Sequence, residues 1–190
     1  MDRRTRRTRE RLRDAMMALV REKPWDEIRV ADLLERADVG RTTFYAHFRD
    51  KEDLLVTLYQ GMIDFMERQA EAAGSNELLP VARALFHHFH DAREFGRALQ
   101  RSDKMEMLLR AAESRLKRSL EARLPASDPD RAMAAAVGAG AFSSMVRAWM
   151  AEGVRTPPER MADLYEAFLG PGLRDQSRWY GEPARMVTAR

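Results

Sequence analysis

The 190-residue chain contains no cysteine and has no apolar run long enough to cross a bilayer. Without cysteine it cannot form disulfides, thiolate metal sites or cysteine nucleophiles. The N-terminus also lacks the apolar segment of a signal peptide. Because 45% of the residues are hydrophobic and 33% are charged, the composition excludes a disordered chain. We therefore expect a cytoplasmic protein that does not associate with membranes.

Segments that alternate apolar and polar residues, as strands do, are also missing. Apolar residues instead recur three and four positions apart, which predicts an all-α fold. We expect a three-helix domain over residues 1–50, a larger helical body over 51–170 and a C-terminal tail over 171–190. The predicted helices cover about 7–21, two short segments within 30–48, and then 51–73, 78–91, 95–101, 103–124, 129–152 and 157–169.

The segment 30–48 has the pattern of a helix-turn-helix. Its first helix places apolar residues at the i, i+3, i+4, i+7 spacing of a buried stripe, and Asp38 and Gly40 suit the turn because they tolerate unusual backbone angles. The second helix can bury only Phe44 and Phe48. Its remaining side chains face outward, as in a helix that enters the major groove of DNA: Thr42, Thr43, Tyr45 and His47.

Positive charge is concentrated at the start of the chain. Residues 1–13 hold seven arginines against two acidic residues, a net charge of +5, so the rest of the chain carries −2 of the total of +3. A basic arm beside a helix-turn-helix can neutralise phosphates and release counterions, which favours nucleic acid as a partner. The alternative is a solvated terminus without a binding role.

Residues 7–59 resemble the DNA-binding domain of the TetR family of transcriptional regulators. The family pattern is Thr-aromatic-Tyr-x-His/Tyr-Phe followed by Lys-Glu-x-Leu, and this chain has Thr-Phe-Tyr-Ala-His-Phe at 43–48 and Lys-Glu-Asp-Leu at 51–54. Two positions differ, since Asp38 replaces the usual turn glycine and Gly40 replaces the usual capping serine. Both replacements are compatible with the motif because aspartate adopts left-handed angles and glycine is an acceptable cap.

The resemblance implies that six residues contact a double-stranded DNA operator. Lys51 would hold a phosphate at the start of the long helix, where the helix dipole also favours an anion. Base edges or the groove wall would meet Thr42, Thr43 and His47. Base edges or phosphates would meet Arg41 and Tyr45. The alternatives are that Tyr45 packs on its own helix and that the His47 imidazole is partly buried.

The resemblance further implies a homodimer that pairs through the last two helices as a four-helix bundle. Two recognition helices about 34–36 Å apart, or a multiple of that distance, would then address a palindromic operator. The chain is rich in Ala, Gly and Ser over 132–148, which permits close helix approach. An intramolecular core is the alternative for the expected interface residues, which are Val137, Ala141, Ser144, Ala148, Met161, Leu164, Tyr165 and Phe168.

The resemblance also implies a pocket for a small-molecule effector in the second body. Binding of the effector would move the long helix and change the spacing of the two recognition helices. Methionine and aromatic side chains offer an adaptable apolar wall. The same residue types at helical spacing commonly form a core, and that alternative stays open. The candidate lining residues are Met62, Phe65, Met66, Phe86, Phe89, Met105, Leu108, Leu109, Phe142 and Met145.

Histidines at 87, 88 and 90, with Asp91 and Glu94 nearby, raise the hypothesis of a metal site or an enzyme. They match no established zinc spacing, and the chain has no GxSxG elbow, phosphate-binding glycine loop or dinucleotide fingerprint. We therefore expect no cofactor, no metal and no catalysis. The predicted function is a ligand-responsive homodimeric repressor that a small-molecule effector releases from DNA. The alternatives are a TetR-like co-regulator that acts through protein partners and a small helical enzyme.

Overall fold

The structure is a computed structural model that describes residues 3–74, 80–100, 102 and 104–174. Within those ranges the chain forms helices and a 3₁₀ turn and no strands, which confirms the predicted all-α fold. The helices are α1 (Arg3–Glu22), α2 (Val30–Ala37), α3 (Arg41–Tyr45), α4 (Lys51–Ala72), α5 (Pro80–Asp91), α6 (Arg93–Gln100), α7 (Lys104–Arg123), α8 (Arg131–Ala151) and α9 (Pro158–Arg174), and the 3₁₀ turn is Trp25–Glu27.

The first three helices enclose a small aromatic core. Phe44 and Phe48 are 0% and 2% exposed, as their i, i+4 spacing predicts. Trp25 and Ile28 are also buried. The Trp25 indole donates to Glu52 Oε1 at 3.1 Å, so the 3₁₀ turn is attached to the first turn of α4. Side-chain contacts therefore join this small core to the long helix that follows it.

Two helix ends lie four or five residues from their predicted positions. Helix α1 begins at Arg3 instead of near residue 7, because arginine favours helix and Arg6 pairs with Glu10 at 3.8 Å across one turn. Helix α9 continues to Arg174 with Pro171 inside it, since a proline in the last turn removes only one backbone hydrogen bond. The predicted tail therefore begins within α9, and residues 175–190 lie outside the described residues. The predicted start of the helix at 78 also lies outside them.

The second body is centred on an aromatic cluster where α5, α8 and α9 meet. The Phe86 ring lies 4.9 Å from Phe142, 5.9 Å from Trp149 and 6.2 Å from Tyr165, measured between ring centroids. The Tyr165 hydroxyl donates to the Gly138 carbonyl at 3.0 Å, which satisfies it inside the core. None of the described helices is both long and apolar enough to span a membrane.

Helices α4 and α7 run in the same direction and are joined by ion pairs along their length. The pairs connect carboxylates of α4 to basic side chains of α7. At the start, middle and end of the two helices they are Glu52 with Lys104 at 3.5 Å, Asp64 with Arg115 at 2.6 Å and Glu71 with Arg123 at 2.7 Å. Because both helices rise by about 1.5 Å per residue, nearly equal sequence spacings keep the partners in register. Helix α4 is therefore held by α7 from end to end.

Candidate DNA-binding surface and ligand cavity

Helix α3 presents a compact set of polar side chains to solvent. The side chain of Phe44 is buried, and its neighbours on the other faces of the helix are exposed. The Arg41 guanidinium lies 6.0 Å from the centroid of the Tyr45 ring, which is 49% exposed. The exposed positions include the five predicted DNA contacts of this segment, Arg41, Thr42, Thr43, Tyr45 and His47. Their contact with DNA stays a prediction.

The turn before α3 is fixed by backbone conformation and by α1. Asp38 has φ 50° and ψ 54°, the left-handed conformation that its residue type allows. Arg11 Nη1 donates to both the Asp38 carbonyl and Asp38 Oδ2 at 3.2 Å. Helix α1 therefore contacts the turn that precedes α3. The sequence reasoning did not find this role for Arg11, although its place in the basic arm was visible.

Lys51 is half-buried, and its ammonium already has two partners in the chain. It donates to the carbonyls of Trp25 and Ile28 at 2.7 Å each and lies 4.9 Å from the Trp25 ring centroid. An ammonium carries three N–H groups, so one is left for a further acceptor. The predicted phosphate contact of Lys51 stays a prediction, and the structure adds a second role, tying the 3₁₀ turn to α4.

The start of α4 is capped by aspartates. Asp50 accepts from the Asp53 backbone N–H at 2.6 Å, which is the hydrogen bond of an N-cap residue. The Asp53 carboxylate reaches back to the Arg49 backbone N–H at 3.0 Å, one residue earlier than a capping box requires. This bond and the Arg49 guanidinium lower the pKa of Asp53 below its usual value. The cap fixes where α4 begins, a few residues after α3.

A cavity of about 510 Å³ lies between α1 and α4, bordered by residues from α5, α6 and α7. Met62, Phe65 and Leu108, three of the predicted lining residues, border it, and their contact with an effector stays a prediction. The other predicted lining residues fill the core or pack against it, and they are Met66, Phe86, Phe89, Met105, Leu109, Phe142 and Met145. Helical spacing identifies inward-facing residues but does not show whether the interior between them is filled or open. Sequence reasoning missed the wall that α1 provides, which consists of Arg6, Arg9, Glu10, Arg13, Met16 and Met17.

The cavity has few polar groups in its buried part. The Tyr59 hydroxyl is buried and has no hydrogen-bond partner among the described residues. Burial raises the pKa of Tyr59, so the phenol stays neutral. His88 is half-buried, and burial lowers its pKa, while the charge of Asp91 acts in the opposite direction. At Gly61 an added Cβ would meet no atom within 4 Å, so this position borders open space.

The three neighbouring histidines do not form a common site. His87 Nε2 lies 3.8 Å from Glu159, while His90 lies 3.3 Å from Asp91 and stacks on Trp149. Across the described parts of the chain, no three potential metal ligands of the His, Cys, Asp and Glu types come together. The structure therefore brings together none of the ligand sets that the metal hypothesis requires.

The outer face of α8 and α9 carries exposed apolar side chains. Phe168, Met133 and Val137 are 76%, 66% and 51% exposed. Ser144 and Ala148 continue this face of α8 as exposed residues, and Ala141 and Leu164 are half-buried. Two residues of the predicted interface instead belong to the chain's own core, because α9 turns them toward α8 and α5: Met161 and Tyr165.

Two family models match the chain. Residues 12–58 match the model described as bacterial regulatory proteins of the tetR family. Residues 76–170 match a model described as a transcriptional regulator C-terminal region. The first match covers the helix-turn-helix and the start of α4, and the second covers most of the remaining helices.

Individual relatives agree with these matches. An uncharacterized HTH-type transcriptional regulator from Bacillus subtilis (strain 168), YxbF, is 34% identical over 79 residues, which cover 40% of this chain and 21% of that protein. The match thus spans about a fifth of the curated relative's length. The dihydroxyacetone kinase operon activator DhaS has a similar fold, with a TM-score of 0.63, 18% identity and coverage of 88% of this chain and 96% of its own. The regulator FadR from Bacillus subtilis, solved with stearoyl-CoA, gives a TM-score of 0.55 at 17% identity and covers 84% and 96%.

Proposed function

The chain belongs to the TetR family of DNA-binding transcriptional regulators, and on that premise we propose that it is a homodimeric repressor released from a palindromic operator by a small-molecule effector. The observation that carries the proposal is the exposed polar surface of α3 above a buried aromatic core. Thr42, Thr43 and His47 are exposed and would meet base edges, and the exposed Arg41 and Tyr45 would meet base edges or phosphates. Lys51 would hold a phosphate through its remaining N–H.

A homodimer is supported by the apolar face of α8 and α9. Its exposed members recur along α8 at 133, 137, 144 and 148, which is the spacing of one helical face, and Phe168 extends the face onto α9. Large apolar side chains clustered on a surface mark an interaction site. A second copy suits this face because a two-fold interface is self-complementary and presents two recognition helices to a two-fold operator.

An effector site is supported by the cavity between α1 and α4. Other proteins of this fold include a regulator solved with stearoyl-CoA and an operon activator, so the fold serves ligand binding and activation elsewhere. For this chain we propose repression in the cytoplasm, where the operator lies, and no catalytic role. The alternatives from the sequence are a co-regulator that docks on a protein and a small helical enzyme.

Selection from random duplexes tests the DNA-binding proposal directly. Full-length protein is incubated with the duplex library at near-physiological salt, and bound molecules are sequenced. We expect an enriched inverted repeat. The variant Thr43→Val should change the preferred bases within it, whereas Ser114→Ala, which alters an exposed hydroxyl on α7, should leave the repeat unchanged. If the protein is folded and dimeric but enriches no sequence, the result would favour the alternative function of a co-regulator that acts through protein partners.

The sign of regulation needs a separate measurement. The selected repeat is placed across a promoter, and transcripts are counted in vitro with and without the protein. Repression predicts fewer transcripts as protein is added. An increase in transcripts would overturn the repressor assignment and leave DNA binding intact.

A further inference from the structure

The wall that α1 contributes to the cavity changes in character along the helix. Its lining positions 6, 9, 10, 13, 16 and 17 follow the spacing of a single helical face. The first four are charged and the last two are methionines. Met16 is 1% exposed, whereas the Arg6 side chain is 70% exposed, so the charged end lies at the mouth and the apolar end at the floor.

The facing wall of α4 has the same gradient of burial. Leu55 and Tyr59 are 5% and 8% exposed, and Met62 is half-buried, whereas Phe65 is 56% exposed. Ten residues separate Leu55 from Phe65, which corresponds to about 15 Å of helix. The cavity is therefore elongated along both helices, with an apolar floor and an open, cationic mouth.

The charges at the mouth favour an anion. Three arginines, Arg6, Arg9 and Arg13, face one acidic lining residue, Glu10. The Arg6–Glu10 pair is long at 3.8 Å and exposed, and Arg13 pairs with the exposed Asp14 at 2.9 Å. Exposed pairs of this kind hold their partners weakly, so an incoming carboxylate can compete for the arginines.

One buried polar group supports the assignment of a ligand independently of these charges. Tyr59 lines the cavity, and its hydroxyl has no partner in the part of the chain that the structure describes. A buried hydroxyl without a partner is costly, and a ligand oxygen would satisfy it. The cavity thus has a buried hydroxyl without a partner beside its floor and a cluster of cations at its mouth.

We propose that this cavity binds an elongated amphipathic organic anion, with its carboxylate at Arg6, Arg9 and Arg13 and its apolar body along Met16, Leu55 and Met62. The proposal rests on the function proposed above, because it specifies the effector. It also gives the effector a route to the DNA surface. The same helix that would bind the carboxylate packs against α2 and contacts the turn before α3 through Arg11 and Asp38, so a displacement of α1 would move α2 and α3 with it.

Calorimetric titration of the full chain tests the ligand class with three probes of equal length: decanoate, decanol and decyltrimethylammonium. Decanoate should bind once per chain. Decanol should bind about tenfold more weakly, since it lacks the charge-assisted contact, and the cation should not bind. Equal binding of decanoate and decanol, or no binding of decanoate, would overturn the proposal.

Variants locate the site. Arg6→Gln combined with Arg13→Gln should weaken decanoate about tenfold and leave decanol unchanged. The matched control, Arg7→Gln with Arg21→Gln, removes the same charge from exposed positions of α1 outside the cavity and should have no effect. Gly61→Phe should abolish binding by filling the space beside it, whereas Gly61→Ala should bind normally. Unchanged binding by Gly61→Phe would place the ligand elsewhere.

The Tyr59 hydroxyl is tested with ω-hydroxydecanoate, whose terminal hydroxyl group would reach the floor. This probe should bind more tightly than decanoate to the natural chain and no more tightly to Tyr59→Phe. If both proteins bind ω-hydroxydecanoate more tightly than decanoate by the same factor, the Tyr59 hydroxyl does not contact the ligand.

Operator binding is measured separately, so that the two proposals fail differently. Saturating decanoate should raise the operator Kd at least about fivefold, within the usual range of coupling between sites. Decanoate binding without any sequence-selective DNA binding would overturn the proposed function and leave the cavity assignment standing. Selective DNA binding without decanoate binding would overturn this inference alone.

Discussion

Replacing Tyr59 by phenylalanine should stabilise the chain, whereas the same replacement at Tyr165 should destabilise it. Both side chains are buried, at 8% and 3% exposure. The Tyr165 hydroxyl donates to the Gly138 carbonyl at 3.0 Å, while that of Tyr59 has no partner among the described residues. Both substitutions therefore remove a phenol hydroxyl, but only the hydroxyl of Tyr165 makes a hydrogen bond that is lost.

The expected magnitudes follow from the hydrogen bonds. A buried hydroxyl without a partner costs about 1–3 kcal/mol, and a satisfied one contributes about 1 kcal/mol. We expect Tyr59→Phe to raise the free energy of unfolding by about 1 kcal/mol and Tyr165→Phe to lower it by about 1 kcal/mol. Urea unfolding at neutral pH, followed by circular dichroism, measures both, and equal m-values would show that the unfolded states are comparable. A loss of stability in both variants would refute the reasoning.

Alkaline pH provides a second test of the same two side chains. Burial raises the pKa of Tyr59 and of Tyr165 above the usual value, and the charge of Glu166 adds to the effect at Tyr165. A group whose pKa is raised on folding contributes stability that is present below its unfolded pKa and is lost as the pH rises. The free energy of unfolding should therefore fall above about pH 10. The double phenylalanine variant should show a smaller fall, and an equal fall would contradict the assignment.

Three further experiments test other parts of the structure. Arg115→Met removes the nearer of the two guanidinium groups that pair with the buried Glu67 carboxylate and leaves Arg123 at 3.8 Å. It should destabilise the chain by about 3 kcal/mol, whereas Arg118→Met, on the exposed side of α7, should change stability by less than about 0.5 kcal/mol. Similar unfolding midpoints for these two would remove the ion-pair argument. Lys51→Met should lower the free energy of unfolding and reduce the dependence of log K for operator binding on log salt concentration by about one unit. An unchanged slope would mean that Lys51 only ties the 3₁₀ turn to α4 and contacts no phosphate. The double variant Leu164→Glu and Phe168→Glu should sediment as a helical monomer. If it still sediments as a dimer, the dimer interface does not lie on this face of α8 and α9.

The recognition module could be predicted from sequence because its determinants are local. Phe44 and Phe48 bury themselves at a one-turn spacing, Asp38 supports the left-handed turn, and Asp50 caps the next helix. Each of these depends on residues a few positions apart. The family resemblance rests on the same local residues, so it located the exposed side chains of α3 as well.

The cavity could not be predicted in the same way. Periodicity identified Phe86 and Phe142 as inward-facing, and both are, but their rings lie 4.9 Å apart and fill the space between them. Whether inward-facing side chains meet or leave a gap depends on how distant helices pack. One local signal was available: Gly61 lies in the middle of α4, where glycine costs about 1 kcal/mol relative to alanine. Such a cost is understandable where the missing side chain leaves room for a ligand.

The contacts of α4 indicate where a ligand can act. On one side, ion pairs with α7 hold α4 at its start, middle and end, and the central pair involves the buried Glu67. On the other side, the cavity separates much of α4 from α1. Changing the spacing between α1 and α4 disturbs fewer contacts than moving α4 along α7, because the side chains at the mouth are exposed. We therefore expect an effector to move α1 relative to the α4–α7 pair. Since Arg11 connects α1 to the turn before α3, that movement would reach the DNA surface without any change in the core of the second body.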